Sequence, residues 1–164
     1  MKLSANFSLN ELTKSEAGTR NGIFNTPSAL VIEKLQALTD NILQPLRDKF
    51  GPVIVTSGYR SPEVNKAIGG STTSHHCFGY AADFEALGMD NRELAIYIRD
   101  SLTYTQLILE FYNGDPNSGW VHCSYDAADL KCQTLTARRV NGRTQYSNGF
   151  FDRPATTSSF VEKR

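Results

Sequence analysis

Nothing in this chain of 164 residues approaches the ~18 apolar residues that a membrane-spanning helix needs, and Met1-Lys2-Leu3-Ser4-Ala5-Asn6 lacks the apolar centre of a secretion signal. A soluble protein made without a signal peptide is expected. An excess of charge is missing as well: 17 basic residues face 17 acidic ones, a formal net charge of zero. Without a basic surplus there is no basis for capturing nucleic acid or an anionic membrane. Cysteine is limited to three, an odd number with no paired spacing, which excludes a disulfide framework. Repeats and linker-like stretches are absent too. One domain over residues 1–164 is expected, with a short helical lead-in and a polar C-terminal tail, and 40% apolar content is enough for one core.

Histidine is scarce, and its placement carries the chemistry. All three fall in two stretches, Ser74-His75-His76-Cys77-Phe78-Gly79-Tyr80-Ala81-Ala82-Asp83 and Gly119-Trp120-Val121-His122-Cys123-Ser124, the second containing the only Trp. Two imidazoles with one carboxylate leave a tetrahedral zinc with its fourth position open to water, the composition of a hydrolytic site. Gly79 and Ala81-Ala82 suit a loop that turns into a closely packed strand, so His76 and Asp83 can face one cavity. On a strand, Trp120 and His122 share a face while Val121 and Cys123 take the other. Cys77 and Cys123 adjoin the ligand candidates, so a thiolate site has to be weighed. The alternation turns Cys123 away, and free cysteines are mostly small buried hydrophobes.

The remaining pattern has α+β order. Ser8 and Glu11 form a capping box for a short first helix, ended by Gly18 and Gly22. Thr26-Pro27 reads as a helix start, and Val31, Leu35, Leu38, Ile42 and Leu46 mark one buried stripe that Gly51-Pro52 stops. Val53 to Thr56, Gln106 to Phe111 and Trp120 to Tyr125 read as strands. Short helices are expected after Ser61-Pro62 and after Asp90, with Leu94, Ile98 and Leu102 on one face. Residues 112–118 form a turn-rich loop, Asn141-Gly142 suggests a hairpin, and Thr156 to Arg164 reads as a frayed end.

These motifs resemble the zinc D-alanyl-D-alanine carboxypeptidase and L,D-endopeptidase family, peptidase M15-like, which shares the hedgehog/DD-peptidase fold and cuts bacterial cell-wall peptides. The family pattern Ser-x-His-x-x-Gly-x-Ala-x-Asp is met at Ser74, His76, Gly79, Ala81 and Asp83, and Trp-x-His at Trp120 and His122. An upstream Ser-Gly-Tyr-Arg-Ser element is met at residues 57–61. The opening Asn6-Phe7-Ser8-Leu9-Asn10-Glu11-Leu12 is similar to the lead-in of phage-encoded members.

The resemblance implies a small antiparallel sheet flanked by helices, and one Zn2+ per chain on His76, Asp83 and His122. It makes Arg60 a substrate or transition-state residue, since its planar fork suits a carboxylate or an oxyanion. Ser74 and Tyr59 become candidates for binding peptide groups, and His75 for a donor or supporting role. One departure matters: several relatives carry the catalytic carboxylate three residues before the last ligand, where this chain has Gly119. Glu110, closing the apolar run Gln106 to Glu110, is the expected base, with Asp115 in reserve.

The expected reaction is amide hydrolysis by a metal-activated water, with Glu110 moving the proton and Arg60 steadying the oxyanion. Peptidoglycan stem peptides are the expected partners of a monomeric, endolysin-like enzyme. Such an enzyme is made in the host cytoplasm and acts in the wall or periplasm. Two other classes remain open: a zinc-containing wall-binding module without catalysis, and a cysteine hydrolase using Cys77 or Cys123.

Overall fold

A computed structural model describes residues 1–150. The frayed end expected at Thr156 to Arg164 lies outside the described residues. The chain begins with two short helices, α1 (Leu9–Thr13) and α2 (Glu16–Arg20). The Ser8–Glu11 capping box is present at α1. The first helix stops at Thr13 rather than at a glycine, because Ser15 opens α2 by accepting from the Gly18 N–H, and Gly18 then lies within that second helix.

The long apolar stripe forms α3 (Ala29–Leu38) and α4 (Gln44–Phe50), joined by one π-helical turn, Thr39–Leu43. The helix starts two residues later than Thr26-Pro27 suggested: Ser28 is the cap, its hydroxyl accepting from the Val31 N–H. Leu35, Leu38, Ile42 and Leu46 are all fully buried. Leu43 joins them off the stripe, because the π-turn inserts a residue into the repeat and rotates the following side chains. Gly51 ends the helix at φ 87°.

Strands β1 (Val53–Ser57), β2 (Ala81–Ala86), β3 (Gln106–Glu110), β4 (Trp120–Ser124), β5 (Gln133–Val140) and β6 (Arg143–Asn148) make one sheet in the order β1-β2-β4-β3-β5-β6. Helices α5 (Pro62–Ala67) and α6 (Asn91–Ser101) interrupt the strand sequence, each with its serine or aspartate cap as the motifs required. The fold is thus the expected α+β sheet flanked by helices. The sheet is mixed, however: β3 and β5 run parallel while the other pairs run antiparallel. The cause is local. Residues 125–132 wrap around the start of β3, with Cys132 N–H donating to the Tyr104 carbonyl, Gln133 N–H to the Thr105 carbonyl and Asp126 N–H to the Thr105 hydroxyl. Strand β3 is thereby inserted between two strands that would otherwise be neighbours.

One face of the sheet carries Phe84, Val121, Cys123, Leu107 and Leu109 into the core, against the α3–α4 and α6 stripes. Each such buried side chain contributes roughly 1.5–3 kcal/mol relative to exposure. The opposite face holds the polar residues of the same strands, and there the site is built. The Asn141-Gly142 turn joins β5 to β6 with both residues left-handed, at φ 50° and 76°, as a tight hairpin demands.

Candidate metal centre and cleft

Paired residues on neighbouring strands share a face of the sheet. Asp83 on β2 pairs with His122 on β4, which pairs with Ile108 on β3. The next row holds Trp120, Glu110 and Ala137 of β4, β3 and β5. Two residues expected to act together are therefore aligned by strand pairing alone.

His76 arrives differently. It sits in the one-turn 3₁₀ helix His75–Phe78, where the Ser74 hydroxyl accepts from the His76 N–H. Gly79 closes the turn at φ 81°, and a β-carbon there would lie 2.8 Å from the Val31 carbonyl oxygen, so glycine is required for the turn to rest on α3. His76 Nδ1–H donates to the Gly58 carbonyl at 2.7 Å, which leaves Nε2 as the free lone pair. That Nε2 is 3.4 Å from Asp83 Oδ1, and His122 Nδ1 is 2.9 Å from the same oxygen.

One donor atom from each of His76, Asp83 and His122 lies within 4.8 Å of the others. Both histidines are buried. Burial works against the Asp83 carboxylate, yet the two imidazoles outweigh it and hold its carboxyl well below the usual range. An ionised carboxylate with two imidazole nitrogens, one of them oriented by a backbone carbonyl, suits a zinc ion. The residues present fit the metal that the motifs imply.

Glu110 stands beside this cluster, its Oε1 4.0 Å from His122 Nδ1. Burial, reinforced by the charge of Asp83, pushes its carboxyl up to about 7, against the opposing pull of His122 and Arg60. Gly119 cannot share the role. It holds φ 63°, and a β-carbon there would lie 1.9 Å from the Glu110 carbonyl oxygen, so no side chain fits. Asp115 is exposed in the loop before β4 and does not line the cleft; its carboxylate accepts from the Asn117 N–H.

A cleft of about 610 Å³ holds His76, Asp83, His122, Glu110, Arg60, Ser74, His75 and Trp120 on its walls. Arg60 is fixed through its backbone, whose N–H donates to the His76 carbonyl, and its Nη2 donates to the Ser74 hydroxyl at 3.4 Å. Its Nε is buried with no hydrogen-bond partner among the described residues. His75 Nδ1 lies 3.0 Å from the Ser124 hydroxyl; burial, then the neighbouring His122 and Lys131, lower its pKa, which keeps the ring neutral.

Tyr59 departs from expectation: it is buried in the core and does not line the cleft, because the Ser57–Ser61 turn packs it inward while Arg60 faces out. The two thiols weighed as nucleophiles, Cys77 and Cys123, stand away from the cleft. Cys123 is fully buried on the core face and burial drives its thiol far above the ordinary range. Burial also raises Cys77, more than nearby Arg60 lowers it.

The sequence reading missed the far wall, Gln106, Ile108, Lys131, Leu135 and Tyr146. The Asn141-Gly142 hairpin was visible in a polar stretch, but the parallel pairing that sets these residues beside Glu110 was not. Among the described residues no helix is long and apolar enough to cross a membrane. Residues 5–124 match the model of a protein family described as Peptidase M15, a span that contains Arg60, the three metal-ligand candidates and Glu110. No curated protein matches the chain.

Proposed function

The chain belongs to the peptidase M15 family and is a peptidase, and from that premise we propose that it is a zinc metallopeptidase hydrolysing an amide bond in bacterial peptidoglycan peptides. The observation that carries this reading is the convergence of His76 Nε2, His122 Nδ1 and Asp83 Oδ1 beside the raised carboxyl of Glu110, all on one cleft wall. When bound, zinc lowers the pKa of a coordinated water to roughly 7 and so supplies a nucleophile at neutral pH.

The chain's own residues do the rest. The Gly58 carbonyl accepts from His76 Nδ1–H and so leaves Nε2 of that ring free for the metal, while His122 Nδ1 and Asp83 Oδ1 face the same point. Glu110 accepts a proton at its carboxylate and returns it to the leaving amine, a task suited to a group poised near neutrality. Arg60, with an unpartnered Nε–H, donates to the oxyanion or to a substrate carboxylate. Ser74 positions that guanidinium and is open to peptide groups in the cleft.

The proposed activity is that of a D,D-carboxypeptidase or endopeptidase acting in the wall, and the Asn6 to Leu12 lead-in, similar to that of phage-encoded members, favours an endolysin-like role. The test is incubation of the zinc-loaded protein with synthetic stem peptides and cross-linked dimers, reading free amine by mass spectrometry. Cleavage that a chelator stops and zinc restores supports the reading. Intact peptides, or cleavage indifferent to the chelator, overturn it.

A further inference from the structure

The family match ends at residue 124, yet the cleft does not. Strand β5 lies parallel beside β3, pairing Ala137 with Glu110, and β6 then pairs Tyr146 with Ala137. Trp120, Glu110, Ala137 and Tyr146 therefore form one row across four strands on the same face. Adjacent strands stand about 4.8 Å apart, so Tyr146 is rooted roughly 10 Å from Glu110. The residue between them is alanine, fully buried and too short to separate them. A tyrosine can lean across it, and Tyr146 does line the metal cleft.

Its environment fits a hydrogen-bond donor. Tyr146 is 58% exposed, so no packing has to break for its hydroxyl to meet a substrate. Burial of the ring, then the charges of Glu110 and Asp83, push its phenol above the ordinary value, so it keeps its proton throughout the neutral range.

Resting on the peptidase reading above, we propose that Tyr146 is a catalytic residue whose hydroxyl donates a hydrogen bond to the scissile carbonyl oxygen as negative charge builds there. The β5–β6 hairpin supplies a donor that the matched segment alone does not contain. It acts from the side of Glu110, complementing the guanidinium of Arg60.

The test compares Tyr146→Phe and Tyr146→Ala on a stem peptide that the wild type cleaves. Both variants are expected to lose roughly 100- to 1,000-fold in kcat with a smaller change in KM, as for removal of one oxyanion donor. Zinc content and melting temperature stay at wild-type values. A Tyr146→Phe variant with full activity overturns the proposal, whether or not Tyr146→Ala is impaired, because the ring would then act only as a wall. A loss of activity that follows loss of zinc or of folding overturns it too. If the wild type cleaves no stem peptide, the proposed action on peptidoglycan peptides fails and this proposal fails with it.

Discussion

Gly119 and the Glu110 carbonyl occupy the same small space: a β-carbon at position 119 would lie 1.9 Å from that oxygen. The residue three before His122 is thus a backbone device that lets β4 start against the end of β3. The carboxylate proposed as the base comes instead from the neighbouring strand, at Glu110.

Gly119→Ala is accordingly expected to destabilise the fold by at least ~2 kcal/mol, since a left-handed conformation alone costs 1–2 kcal/mol and the clash is with backbone. Urea unfolding reads it. Gly119→Asp, added to Glu110→Gln, should not restore turnover; restored turnover would show that position 119 can host the base after all.

His76→Ala, Asp83→Ala and His122→Ala are each expected to lose the single zinc, measured by elemental analysis after dialysis. The core lies on the other face of the sheet, so the metal-free chains should remain folded by circular dichroism. Full zinc occupancy in the His122 variant would remove it from the ligand set.

Glu110→Gln should keep zinc and lower turnover roughly 100-fold or more. The same variant has a signature in the metal-free protein. Glu110 titrates at about 7 when folded against an ordinary 4.5, so the native state holds its proton more tightly. The stability this contributes is complete below about pH 4.5 and is lost as pH rises through about 7. Above pH 7 metal-free Glu110→Gln should therefore exceed wild type by on the order of 3 kcal/mol, with no difference near pH 4. Unfolding curves at the two pH values decide it, and equal stability at both would place Glu110 in a solvated position.

Arg60→Lys is expected to bind zinc and melt within a few degrees of wild type while cleaving peptide far more slowly. A lysine keeps the charge but not the planar fork. Undiminished cleavage would leave the oxyanion to other groups.

Several features were legible because they are local. Caps at Ser8, Ser61 and Asp90, the helical stripe through Leu35 and Ile42, and the tight Asn141-Gly142 turn depend on neighbours a few residues away, and propensity and periodicity report such neighbours directly. The ligand candidates were legible for another reason. His76 to Asp83 is a short loop-to-strand passage and Trp120-x-His122 is a simple alternation, so spacing makes the residues candidates and the family motifs they match single them out as ligands.

What tertiary structure alone decided is pairing over distance. Strand register put Asp83 against His122 across 39 residues, and a backbone carbonyl at Gly58 chose which nitrogen of His76 stays free. The insertion of β3 between β4 and β5 turned a polar C-terminal stretch into a cleft wall and brought Tyr146 to the row of Glu110. The same packing sent Tyr59 into the core and left Asp115 outside the cleft. Residue types set which chemistry is possible; loop wrapping and strand order, which no local pattern encodes, set which of those residues meet.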